Sequence, residues 1–199
     1  MFRIADRPLF WAIVLGLAVD QWEIGLPLGI LFELFWLDVL PLGSVVPPYG
    51  TLSFLLLFPL ALLYGWRQPD TLLLPIVFSM LCASGASRLE QYQREFLNGV
   101  SDRVQRWCTG AGGMPPARAI LCGVLIRAGA QYGLYMLCFL MLTALGPLLA
   151  RTGAQWFPSA SWAVFYAAAL TGSVLGLRIR GTYVILLASL IIVGFFMTL

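Results

Sequence analysis

Between Gly25 and Gly50 the chain reads GLPLGILFELFWLDVLPLGSVVPPYG, apolar enough for a bilayer yet carrying two carboxylates, Glu33 and Asp38. A charged side chain at the centre of a spanning helix costs about 2.5–3.5 kcal/mol on insertion scales, so a segment built only to span would omit both. The prolines and glycines of the same stretch predict breaks in the helix. Breaks free backbone N–H and C=O groups at membrane depth, where only protein or a water-filled cavity satisfies them. The stretch therefore predicts a polar cavity inside a membrane protein, lined by Glu33 with Asp38 as a second candidate.

Composition gives the same class. Of 199 residues, 60% are hydrophobic and 11% charged, with a mean hydropathy of +0.89. A soluble domain has roughly 45–50% apolar and 25% charged residues. The expected fold is a single all-α, polytopic integral membrane domain over residues 1–199, with room for about five to seven membrane segments. Every basic residue is arginine and histidine is absent, so no imidazole ligand, acid or base is available. Cys82, Cys108, Cys122 and Cys138 show no CxxC spacing and read as small buried hydrophobes. No metal, cofactor or catalytic residue is expected. A net charge of +3 is too small to imply nucleic acid.

Residues 8–85 divide into four short apolar segments, 8–19, 24–40, 51–66 and 71–85, the last three holding Pro27, Pro59 and Pro75. Fifteen helical residues reach only about 22 Å against a hydrocarbon core of about 30 Å. Short, proline-interrupted segments predict broken or re-entrant helices around a transport site, with plain kinked spans as the alternative. Asp20-Gln21-Trp22-Glu23 suits an interfacial turn. In 86–108, Leu89, Tyr92, Phe96, Val100, Val104 and Trp107 recur at helical steps, with the charged residues mostly elsewhere. This predicts an amphipathic helix at the membrane interface or a docking surface for a soluble partner.

Residues 109–117 form a Gly/Pro joint, and 118–199 supply further transmembrane helices, with a polar turn at 151–160 and final spans at 161–177 and 182–199. Arg127 and Gln131 lie one turn apart within an apolar run, so both should face protein or a cavity unless Arg127 snorkels to the surface. The positive-inside rule puts the N-terminus, residues 86–118 and the Arg178/Arg180 loop on the cytoplasmic side.

The run Gly29-Ile30-Leu31-Phe32-Glu33-Leu34, followed by Leu40-Pro41-Leu42-Gly43-Ser44-Val45-Val46-Pro47-Pro48, resembles the IIC subunit of mannose-class sugar phosphotransferase systems. The lead-in Arg7-Pro8-Leu9 fits as well, and the likeness covers about residues 6–52 best. The resemblance implies a multi-pass protein of the bacterial cytoplasmic membrane. With a IID membrane subunit it would form the pathway for a hexose-class sugar, phosphorylated from cytoplasmic IIA and IIB components that carry the phosphohistidines. It implies a sugar-contacting role for Glu33, and sugar hydroxyls need carboxylate or amide acceptors in an otherwise apolar pocket. Asp38, Gln21 and Gln131 are the further sugar-binding candidates. Typical members have an extra span ahead of the position of Arg7 and a helix beyond that of Phe196, and Tyr49 stands where an acid often follows the Pro-Pro pair. Those differences support a competing expectation, a transport-inactive scaffold or regulatory subunit of the same fold. A membrane-embedded enzyme finds no nucleophile motif or metal cluster to support it.

Overall fold

The computed structural model describes residues 6–36, 49–109, 115–156, 158 and 161–176. Among these residues the fold is all-α, with helices α1 (Pro8–Ala18), α2 (Trp22–Phe35), α3 (Gly50–Tyr64), α4 (Pro69–Cys108), α5 (Pro116–Trp156) and α6 (Trp162–Gly176). Helices α4 and α5 are each long and apolar enough to cross a membrane, which marks the chain as membrane-associated. Asp38, most of the 41–50 turn, the 182–199 span and the Arg178/Arg180 loop lie outside the described residues.

Helix α3 is the centre of the bundle. It is apolar all round, as a helix surrounded by others must be, and Phe54, Leu56, Leu57, Phe58, Leu60 and Ala61 are buried on it. Phe54 and Phe58 stack with centroids 5.2 Å apart. Helices α1, α2, α4 and α5 all pack against it. Gly65 ends α3 in the left-handed conformation at φ +67°, a position that glycine fills without a Cβ clash.

Helices α1 and α2 form a close hairpin through small residues. Gly25 and Gly29, a GxxxG pair on α2, face Ala12 and Gly16 of α1. A Cβ added at Gly25 would meet the Ala12 carbonyl oxygen at 3.3 Å and the Gly16 Cα at 3.4 Å. Small residues let helix backbones approach closely where burial of apolar surface from water cannot drive association. These glycines therefore serve packing and leave α2 unbroken.

Three expectations are corrected. First, Pro27, Pro59 and Pro75 sit inside continuous helices. Each lacks an N–H and so frees the carbonyl four residues earlier, and neighbouring helices can satisfy such groups. Pro59 frees the Leu55 carbonyl, and the Tyr135 hydroxyl of α5 donates to it at 3.3 Å. Reciprocally, Pro147 of α5 frees the Thr143 carbonyl, and the Tyr64 hydroxyl of α3 donates to it at 2.9 Å. Second, residues 86–108 are helical, but they continue 69–85 without interruption. Gly85 meets no neighbour that would force a bend. Third, the polar turn expected from residue 151 begins later, because α5 runs to Trp156 with Gly153 packed on the Asp70 carbonyl.

The tyrosine–carbonyl clasp makes a prediction. Tyr64→Phe should destabilise the detergent-solubilised protein by about 1 kcal/mol. Pro147→Ala restores an N–H for the Thr143 carbonyl, so the same tyrosine change in that background should cost less than half as much. Equal costs in the two backgrounds, measured by equilibrium unfolding, would show that the hydroxyl does not serve the proline-freed carbonyl.

Candidate functional site

Charge-free stretches set the axial frame. Thr71 to Ser87 of α4 and Ala128 to Ala150 of α5 contain no Asp, Glu, Lys or Arg. They extend about 25 and 35 Å at 1.5 Å per residue, bracketing a hydrocarbon core of about 30 Å. The helices are antiparallel, with Gly153 beside Asp70 at one end and Arg127 paired with Glu90 at the other. Arg67, Asp70 and Arg151 thus mark one boundary, and Arg88, Glu90, Arg94 and Arg127 the opposite one.

Glu33 lies near the middle of this frame. The Ser53 hydroxyl donates to the Ser79 carbonyl at 3.1 Å, tying α3 to the centre of the charge-free stretch of α4. Trp36, the C-cap of α2, packs on Gly50 of α3, where an added Cβ would meet its Cδ1 at 2.7 Å. Helices α2 and α3 are antiparallel, so Glu33, one turn before Trp36, is level with Ser53, one turn after Gly50. The Arg7 Nη1 donates to Glu33 Oε1 at 2.6 Å. Arg7 is 50% exposed and Glu33 20% exposed. The other oxygen, Glu33 Oε2, is buried without a hydrogen-bond partner, and so is Trp36 Nε1. A carboxylate acceptor and an indole donor thus stand three residues apart at the C-terminal end of α2.

This arrangement is half legible in the sequence. The cost of a charge at depth singles out Glu33. Trp36 and Arg7 were not expected as site residues, although an arginine opening the first apolar segment is the available counter-charge. Arg7 also supplies from within the chain the partner that the carboxylate requires. Gln21 caps the other end of α2, where its carbonyl accepts from the Ile24 and Gly25 amides. Twelve residues separate it from Glu33, about 18 Å along a helix, so the two do not share a ligand. Gln131 is on α5, one turn from Arg127 as expected, and its Nε2 is buried without a partner. No contact joins it to Glu33.

A second polar cluster was not foreseen as one. Glu90 is 2% exposed, and its Oε1 accepts from Arg94 Nη2 at 2.9 Å, Arg94 Nε at 3.2 Å and Arg127 Nη2 at 2.7 Å. Glu90 Oε2 has no partner. Nor has either end of the Gln93 amide, although Gln93 is 7% exposed. Of the two readings of Arg127, the one facing protein describes this pairing. The polar face of residues 86–97 turns towards α5, while Tyr92 and Phe96 of the apolar face are exposed. The described molecule also has a cavity of about 170 Å³ between α2, α4 and α6, lined by apolar side chains including Leu31, Phe35, Ile76, Val77 and Phe165. It offers sugar hydroxyls no side-chain acceptor.

No protein family matches this chain, and no curated protein or solved structure matches it either.

Proposed function

We propose that this chain is a IIC-type membrane subunit of a mannose-class sugar phosphotransferase system, a multi-pass component of the bacterial cytoplasmic membrane. It forms the pathway of a hexose-class sugar together with a IID subunit, and cytoplasmic IIA and IIB components phosphorylate the sugar as it enters. The observation that carries the reading is the pairing of an unsatisfied carboxylate oxygen on Glu33 with an unsatisfied indole N–H on Trp36. An acceptor, a donor and an aromatic face are the groups that hold a sugar in an otherwise apolar setting. They fall within the stretch that carries the family resemblance, midway along the charge-free part of α4. Transport sites lie at such midplane positions.

The Arg7–Glu33 ion pair favours a second reading. A carboxylate already neutralised within the chain can be structural, as in a scaffold or regulatory subunit that keeps the fold without carrying sugar.

One experiment separates the two. Sugar binding is measured by calorimetry on the membrane complex purified in mild detergent, for the native chain, Glu33→Gln and Arg7→Gln. Hydrogen bonds to charged groups contribute about 1.5–3 kcal/mol, so Glu33→Gln should weaken binding roughly ten- to a hundred-fold. Thermal stability serves as the folding control. Unchanged affinity in a folded Glu33→Gln complex removes Glu33 from the site. Absence of sugar binding in the native complex, with both variants losing similar stability, supports the scaffold.

A further inference from the structure

The Glu90 cluster has features that the sugar-pathway reading does not use. Two guanidinium groups from different helices converge on one carboxylate oxygen, Arg94 from α4 and Arg127 from α5. Unassisted, two like charges at that spacing would separate. The buried Glu90 holds them side by side and leaves the cluster with one net positive charge. Each guanidinium has five N–H donors in a fixed fork. Glu90 engages two on Arg94 and one on Arg127, and these side chains remain 53% and 52% exposed. The result is an accessible, pre-arranged pair of forks, the geometry that matches phosphate oxygens.

Its position narrows the ligand. The cluster lies at the boundary of the charge-free stretches, where phospholipid headgroups meet a helix pair of this length. Tyr92, two residues beyond Glu90, is exposed, and tyrosine favours the headgroup layer. Residues 86–127 hold six arginines against three acids, whereas the rest of the chain has six of each, so the entire net charge of +3 sits on this part. Basic pockets between helices on the cytoplasmic side are the kind of site that takes anionic headgroups.

The geometry points to a binding site for the phosphodiester headgroup of an anionic phospholipid, held by Arg94 and Arg127 on the Glu90 support. The site is independent of whether Glu33 contacts sugar. A phosphodiester at the membrane boundary accepts from the outward donors of both guanidiniums, and its acyl chains run along the exposed apolar flank of α5 at Leu137 and Leu140.

The test uses the full chain in a neutral detergent, titrated with phosphatidylglycerol or phosphatidylcholine and read by native mass spectrometry. The native protein should retain phosphatidylglycerol at least about tenfold more tightly than phosphatidylcholine. The triple variant Glu90→Gln/Arg94→Gln/Arg127→Gln, which strands no buried charge, should lose that preference. Arg88→Gln is the control, because it lowers the net charge by one just as the triple variant does. It should keep the preference. Equal losses in the two variants would reduce the effect to diffuse attraction and overturn the site. A native protein without headgroup preference would overturn it as well. Displacement of the lipid by equimolar glycerophosphate would show a free-anion site and reject the lipid assignment.

Discussion

Replacing Arg94 and Arg127 together by glutamine, with Glu90 left in place, is expected to destabilise the protein by about 3–5 kcal/mol, because it strands a buried charge. Glu90 is 2% exposed and its Oε1 has three donors, all from these two arginines. Taking a carboxylate out of water without a counter-charge costs several kcal/mol, and the helix pair cannot hydrate Glu90 without opening the α4/α5 seam. The cost is attributable to the stranded charge only if removing that charge restores stability. Adding Glu90→Gln should therefore recover most of the loss, since replacing a whole buried ion cluster by neutral groups is often close to neutral. Equilibrium unfolding in mixed detergent micelles measures all three proteins. A double variant within 1 kcal/mol of native, or a triple variant no better than the double, would show that Glu90 is not held as described.

Gly29→Leu is expected to cost about 3 kcal/mol, the upper end of ordinary overpacking. A Cβ added at Gly29 would overlap the Ala12 Cβ, and its next neighbours are backbone atoms of Leu9 and Pro8 at 3.5 and 3.6 Å. None of these is the end of a flexible side chain, so α1 and α2 must move apart. That separation also disturbs the Arg7–Glu33 pair, which bridges the same two helices. Exchanging the methyl across the contact, Gly29→Ala with Ala12→Gly, should recover most of the loss relative to Gly29→Ala alone, because volume is then conserved. Thermal unfolding of the four proteins gives the answer. Gly29→Leu with a native melting temperature would mean that the GxxxG face of α2 does not sit against α1.

Much of the helix layout was legible because it depends on local chemistry. The polar Asp20-Gln21 turn separates α1 from α2, and α1, α2 and α3 each begin within two residues of the expected boundary. The glycines of α2, which predicted breaks, instead pack closely against α1. The rarity of charge in an apolar run singles out Glu33 and Arg127. At Pro59, as at Pro147, an absent N–H is visible in the sequence, whereas the tyrosine hydroxyl that answers the freed carbonyl is not. Tyr135 is eighty residues from Leu55 and Tyr64 seventy-nine from Thr143.

By itself the sequence determined an all-α, strongly apolar chain with a carboxylate in its second apolar segment and its net charge gathered in residues 86–127. Those properties follow from helical period and transfer free energy, which act residue by residue. Tertiary structure decided which charges meet and which faces are covered. The 3.6-residue period of 86–108 marks a polar and an apolar face, but it cannot say which of them a neighbouring helix covers. Helix α5 brings Arg127 to the polar face, so Glu90 is buried in an ion cluster and the aromatic residues Tyr92 and Phe96 are left outside. In the same way α1 brings Arg7 to Glu33, and a charge that its own segment cannot satisfy becomes half of an ion pair. Each outcome depends on a counter-charge distant in sequence, which only the packing of two helices supplies.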